Sequence, residues 1–170
     1  HEPTGRFAPG AYAGPAGPVI VFGGTRGTGL EIVRRLRARG EEVTVAVRKT
    51  SKTSALQALG VKTVVADVLH ADEVNAAFAS GQFRAVVSTI GTARGENDKR
   101  PDFVGNRNII DAAKAAGVQR FVFITVVGTG NSWDAAPVPA RSMLKEIIAL
   151  KGQAEDHLRA SSLPYTIIRP

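Results

Sequence analysis

The sequence predicts an α/β protein in three layers, a doubly wound parallel sheet covered by helices on both faces. Two observations carry this. From Val19 onward, short runs rich in Val, Ile, Phe and Thr alternate with helical patterns, the mark of strand-helix-strand units. Most of the runs are continuously apolar rather than alternating, as strands covered on both sides must be. In chain order, VIVF (19–22) is the first strand, TGLEIVRRLRAR (28–39) the first helix and VTVAV (43–47) the second strand. SALQAL (54–59) and ADEVNAAFA (71–79) are helices around a third strand, TVVA (63–66). AVVST (85–89) is the fourth strand, residues 102–116 the fourth helix, RFVFIT (120–125) the fifth strand, residues 140–160 the last helix and YTII (165–168) the last strand. Gly40, Gly60, Gly81 and Gly117 each follow a helical run and are expected to supply a left-handed C-terminal cap. Six strands suffice for the order 3-2-1-4-5-6, whose ligand crevice lies at the strand carboxyl ends where the winding reverses.

A chain of 170 residues is about one domain long. His1 to Pro18 holds four prolines and four glycines with little apolar periodicity, so we read 1–18 as an irregular arm and 19–170 as the folded domain. Starting at His1 rather than Met reads as a processed or trimmed product. The apolar and charged fractions, 44% and 22%, are ordinary, and no apolar run approaches the roughly 18 residues of a membrane span. The net charge of +7 fits an anionic small ligand. Nucleic acid is not expected, because the basic residues are spread out and aromatics make up only 6%, too few for a stacking platform. The absence of cysteine excludes disulfides, thiolate metal sites and a cysteine nucleophile. His1, His70 and His157 lack partners at metal-ligand spacing and read as surface or capping residues, so no metal is expected.

The stretch VFGGTRGTGLE (21–31) packs four glycines into seven residues between the first strand and the first helix. Gly23, Gly27 and Gly29 form G-x-x-x-G-x-G where a pyrophosphate can meet backbone N–H groups and the positive end of a helix dipole. We assign Gly23, Thr25, Arg26, Gly27, Thr28 and Gly29 to a dinucleotide site of Rossmann type. An NAD site ends its second strand with an acid that binds the adenosine ribose; here that place holds Arg48 and Lys49. A guanidinium grips a 2′-phosphate through paired charged hydrogen bonds, and Arg26 approaches the same phosphate from the other side. The expected cofactor is therefore NADP(H).

The segments VFGGTRGTGLEIVRRLRARGEEVTVAVR, ADVLHADEV, VVSTIG, NRNIIDAAKAAGVQRFVFIT and YTIIRP together resemble the atypical short-chain dehydrogenase/reductase superfamily, particularly its NAD(P)-binding NmrA-like and biliverdin-reductase-B-like members. The glycine spacing is that of typical members, with Arg26 where many atypical members have a glycine. The resemblance implies that Asp67 and Val68 contact adenine, that Ser88, Thr89, Ile90 and Gly91 run beside the nicotinamide ribose, and that Asn108 is structural. It also implies that Lys151, in ALKGQAEDHL, is the lysine of the family's ribose-binding helix.

The family's usual tyrosine is missing: Ile147 stands four residues before Lys151, and the two tyrosines are Tyr12 and Tyr165. Thr125 occupies the place of the family's serine, so Thr125 and Lys151 are the catalytic candidates. Biliverdin-reductase-B-like members also lack the tyrosine and reduce flavins and tetrapyrroles, which implies hydride transfer to a planar conjugated acceptor. The competing expectation is a non-catalytic NADP-binding regulator, redox sensor or assembly factor, as in the NmrA-like branch. Trp133, in the loop after the fifth strand, is placed to stack on such an acceptor. The sequence stops after TIIRP, where family members usually continue into a C-terminal substrate lobe. Two expectations stand side by side, a chain truncated at this point or an open crevice taking a small planar substrate or a protein partner. Because NADPH is chiefly intracellular, we expect a cytoplasmic protein.

Overall fold

The computed structural model describes residues 17–91, 98–125 and 138–170; most of the N-terminal arm, and Trp133, lie outside the described residues. Strands β1 (Val19–Phe22), β2 (Val43–Val47), β3 (Lys62–Val65), β4 (Ala85–Ser88), β5 (Arg120–Ile124) and β6 (Tyr165–Ile168) form one sheet. Every pairing is parallel, in the order β3-β2-β1-β4-β5-β6. The helices are α1 (Gly27–Ala38), α2 (Ser54–Ala58), α3 (Ala71–Ala79), α4 (Asn106–Ala116) and α5 (Val138–Ala160), with a π-turn at Pro101–Gly105 leading into α4. Among the described residues, no helix is long and apolar enough to cross a membrane.

The two-residue period of a strand sends alternate side chains to opposite faces, and this sorts the apolar runs into two cores. Ile20, Phe22, Val86, Phe121 and Phe123 pack with Val74 and Phe78 of α3, Ile109 and Ile110 of α4, and Ala154 and Leu158 of α5. On the other face, Val19, Val21, Val43, Val45, Val47 and Val87 close on Val33 of α1 and Leu56 of α2. The rings of Phe22 and Phe78 stack at 5.7 Å between centroids. β1, β2 and β4 are buried along their whole length. The edge strands differ: Val65, Tyr165 and Ile168 are exposed.

Two local expectations need correction. Gly40, Gly60 and Gly117 do take left-handed φ values, but Gly81 does not. Helix α3 ends instead at Ser80, whose hydroxyl and N–H both donate to the Ala77 carbonyl, at 2.6 and 3.2 Å, so the carbonyl that a glycine turn would have satisfied is already taken. Nor is the fourth helix continuous from residue 102. Its first turn is a π-turn, one residue wider than α, and one side chain ties two of its carbonyls to the segment after β4. Asn106 Nδ2 donates to the carbonyls of Asp102 (3.0 Å), Ile90 (3.1 Å) and Pro101 (3.3 Å), while its Oδ1 accepts from Ser88 Oγ at 2.6 Å.

Asn106 is fully buried, so Asn106→Leu removes the acceptor of the Ser88 hydroxyl and the side-chain donor of the Asp102 carbonyl without water to replace them. The Ile90 and Pro101 carbonyls keep Lys151 Nζ and the backbone N–H of residue 106, respectively. Urea denaturation is expected to show a loss of about 3 kcal/mol or more, since each orphaned buried polar group costs about 1–3 kcal/mol. A loss below about 1 kcal/mol would mean that the π-turn does not depend on this amide.

Candidate cofactor and active site

Where β1 ends, the chain turns through Gly23 (φ +86°) and Gly27 (φ +56°) into α1. Gly29 approaches the turn so closely that a Cβ there would strike the Gly23 carbonyl, and a Cβ on Gly23 would strike the Thr89 hydroxyl. That hydroxyl donates to the Gly23 carbonyl at 3.1 Å, and the Thr89 N–H donates to the Phe22 carbonyl at 3.0 Å. The turn is thereby tied to the end of β4. Helix α1 begins without a side-chain cap and with no acidic residue in its first turn, leaving its N–H groups and dipole available to an anion.

The turn opens into a cleft of about 1200 Å³ at the carboxyl ends of β1, β2, β3 and β4. Gly23, Thr25, Arg26, Gly27, Thr28 and Gly29 line one wall, and Arg48, Thr50, Ser51 and Lys52 line the wall beyond β2. The second wall is shaped by a reciprocal pair: the Arg48 N–H donates to Ser51 Oγ, and the Ser51 N–H to the Arg48 carbonyl, both at 3.0 Å. This turn brings Lys52 to the cleft. Lys49, expected there, is exposed and is not among the lining residues.

Asp67, Val68 and Leu69 line the cleft after β3. Their loop is held by Asp67 Oδ1 accepting from the Leu69 N–H (2.9 Å), by Glu73 Oε1 accepting from the Asp67 N–H (3.2 Å), and by Asn108 Nδ2 donating to the Val68 carbonyl (2.9 Å). At the mouth, Arg100 makes a side-on pair with Asp98, at 2.9 Å from Nε and 2.8 Å from a terminal nitrogen. These hydrogen bonds hold the Asp98 carboxyl down to about 2.

The opposite end is formed by Thr89, Ile90, Gly91 and Lys151. Lys151 is buried; its Nζ donates to the Ile90 carbonyl at 3.1 Å and stands 3.5 Å from Asp102 Oδ1. Burial pushes the Lys151 ammonium below the usual lysine range, against the opposing pull of Asp102 and then Glu155. Two expected site residues fall outside this arrangement. Ser88 is buried with its hydroxyl committed to Asn106, and Thr125 is buried at the end of β5, its N–H donating to the Ile168 carbonyl at 2.8 Å. Neither is among the residues that line the cleft. The reading of single residues had missed Asp98, Arg100 and Lys52, which line it, and Asp102. An aspartate at the start of a helix reads locally as a dipole partner, and only the packing of α5 reveals that it faces a lysine.

This geometry defines a nucleotide-binding α/β domain, and comparison with known proteins gives the family. Residues 23–170 match the family model described as NAD(P)H-binding. The chain belongs to this family, and its fold is the one its motifs implied. It is 30% identical to protein TIC 62 of the pea chloroplast over 89% of this chain and 32% of that protein. It is 28% identical to the photosystem II assembly factor Ycf39 of Cyanophora paradoxa over 89% of this chain and 44% of that protein. Among solved structures it is similar to ChuY, an anaerobillin reductase from Escherichia coli, with a TM-score of 0.77 and 30% identity over 90% of this chain and 72% of that one. The chain thus spans less than half the length of these two curated relatives.

Gly27 has nothing within 4 Å of a would-be Cβ, so Gly27→Ala should cost only the left-handed strain of about 1–2 kcal/mol. Gly29→Ala should lower the melting temperature much further and abolish nucleotide binding; equal effects of the two in thermal denaturation would contradict this turn geometry. Lys151 gives a signed pH dependence. Its folded pKa lies below the unfolded value of 10.5, so the unfolded chain binds its proton more tightly. The group's contribution to stability is full above 10.5 and lost as pH falls through the folded value. Wild type should gain stability relative to Lys151→Met as pH rises toward that limit, measured by denaturation at stepped pH.

Proposed function

We propose that the protein is an NADP(H)-dependent reductase acting on a planar conjugated acceptor of the flavin, quinone or tetrapyrrole type. The observation that carries the cofactor reading is the charge of the cleft wall after β2: Arg48 and Lys52 line it opposite Arg26, and no carboxylate lies between Val47 and Lys52. An adenosine 2′-phosphate suits that wall, whereas the ribose diol of NAD would find no carboxylate there. The glycine turn fits a pyrophosphate for the same reason that it excludes a Cβ: backbone N–H groups can reach the ligand directly. When bound, NADPH supplies a hydride, two electrons and a proton nucleus, to an electron-poor carbon of the acceptor.

The chain's own residues have positioning roles. Arg26, Arg48 and Lys52 hold the phosphate end, and Asp67 and Val68 border the adenine. Thr89 and Gly91 border the nicotinamide ribose, and Lys151 presents its ammonium to the ribose hydroxyls. Trp133 is assigned to stack on the acceptor, whose remaining proton comes from solvent. The likeness to an anaerobillin reductase favours an acceptor of tetrapyrrole type. The likeness to Ycf39, a photosystem II assembly factor, favours a second reading, a non-catalytic NADP-binding regulator or assembly factor with a protein partner over the cleft. In either case we place the protein in the cytoplasm, where NADPH is supplied.

Calorimetric titration of wild type and Arg48→Ala with NADPH and NADH tests the cofactor. The variant should lose about 1.5–3 kcal/mol toward NADPH, the worth of a charged hydrogen bond, and little toward NADH; an equal loss toward both would sink the 2′-phosphate assignment. NADPH oxidation in the presence of flavins, quinones or linear tetrapyrroles supports the reductase, while a stoichiometric complex with no turnover on any of them supports the second reading.

A further inference from the structure

The cleft wall at Gly91 is built on a buried ion pair. Lys151 Nζ lies 3.5 Å from Asp102 Oδ1, and Asp102 has no exposed surface. Both groups press on the backbone here: a Cβ on Gly91 would sit 2.8 Å from Lys151 Nζ and 3.0 Å from Asp102 Oδ1. Taking two ions out of water commonly stabilises a fold no more than apolar side chains of similar volume would. A strut between the π-turn and α5 could therefore have been made from apolar residues.

The backbone around the carboxylate is also fixed from both sides. The Asp102 N–H donates to the Lys99 carbonyl at 3.1 Å, and the Asp102 carbonyl accepts from Asn106 Nδ2 at 3.0 Å. The same amide holds the Ile90 carbonyl at 3.1 Å, which is the second partner of Lys151 Nζ. One buried asparagine thus sets the positions of both groups that hold the ammonium.

We propose that Asp102 is a positioning residue, whose carboxylate keeps Lys151 protonated and pins its Nζ against the Ile90 carbonyl so that the ammonium faces the cleft at Gly91. What the ammonium meets there rests on the NADP(H) reading; the positioning is a property of the protein without ligand. The charged groups that act on Lys151 are Asp102 from the π-turn and Glu155 from one turn further along α5. Glu155 is partly neutralised by Arg169, whose Nε donates to Oε1 at 2.9 Å. Asp67, Asp98 and Arg100 line the same cleft. Burial opposes the charge on Lys151, and Asp102 is the strongest influence in its favour. Removing that carboxylate while leaving the burial should let the lysine lose its proton nearer neutrality.

The test is proton–nitrogen NMR of the lysine ammonium groups in the full chain without nucleotide, the Lys151 signal being assigned by its loss in Lys151→Met. Asp102→Asn should lower the pH at which Lys151 deprotonates by about one unit or more, the effect of a nearby opposite charge. NADPH affinity should then be weakened between the two titration midpoints, where the variant's lysine is neutral and the wild type's still charged, by up to about tenfold for a one-unit shift, and recover toward wild type at lower pH. A variant in which Lys151 titrates as in wild type overturns the proposal, whatever happens to the melting temperature, because a mere strut would change stability alone. If Asp102→Asn does not fold, Asp102→Glu carries the test by displacing the charge by one methylene. A shifted Lys151 signal with weakened NADPH binding supports positioning, and an unchanged signal overturns it. Failure of wild type to bind NADPH or NADH would overturn the cofactor reading alone, leaving the lysine titration to decide the role of Asp102.

Discussion

The site depends on the pairing of β1 with β4. Phe22 and Ser88 lie side by side at the ends of these strands, and from there the chain leaves in two directions. After Phe22 it turns through the glycines into α1, which packs on the face of Val33 and Leu56. After Ser88 it runs through the π-turn into α4, which packs on the face of Ile109 and Phe78. Neighbouring strands whose helices go to opposite faces leave a gap at their carboxyl ends that neither helix can fill. The cleft is a consequence of topology before any particular side chain lines it.

A gap of this kind exposes strand ends whose carbonyls and N–H groups need partners, and small polar side chains provide them. Thr89 donates to the Gly23 carbonyl, Ser88 donates to Asn106, and Asn106 donates to Ile90. Each is short enough to bond to backbone without filling the space. This is why the polar residues at the end of β4 divide into two kinds. Thr89 faces the cleft, whereas Ser88 faces inward and secures its wall. Alternation along a strand forces that division, so adjacent hydroxyls cannot both serve a ligand.

The same distinction separates what was legible in the sequence from what was not. The strands and their order could be read because apolar runs and helix spacing are local, and the whole sheet appears in the order they predicted. The glycine turn could be read because its geometry is imposed within a few residues: Gly29 must lack a Cβ on account of Gly23. Lys49 is exposed and Lys52 lines the cleft, because the Arg48–Ser51 turn swings the chain back between them, which no local pattern announces. The π-turn left no periodic trace, since the residue that makes it possible, Asn106, acts through carbonyls from two separate segments. Asp102 was missed for a related reason. Its partner comes from another helix, and no spacing rule connects them.

The site's charge distribution also limits what it can ask of an acceptor. Arg26, Arg48 and Lys52 are exposed, so these cations can attract a polyanion at modest desolvation cost. Lys151, at the other end, is buried and held between a carboxylate and a carbonyl, so its proton is engaged before any substrate arrives. Neither tyrosine of the chain stands one turn from Lys151. A simple carbonyl, which gains a localised negative charge as hydride arrives, would need a positioned acid, worth about 10²–10⁴-fold in rate. A conjugated acceptor spreads that charge over many atoms and can take its proton from water. Under the proposed reductase function, the fixed lysine and the isoleucine that stands four residues before it favour the same class of substrate: one that needs its reductant held firmly and needs little acid assistance from the protein.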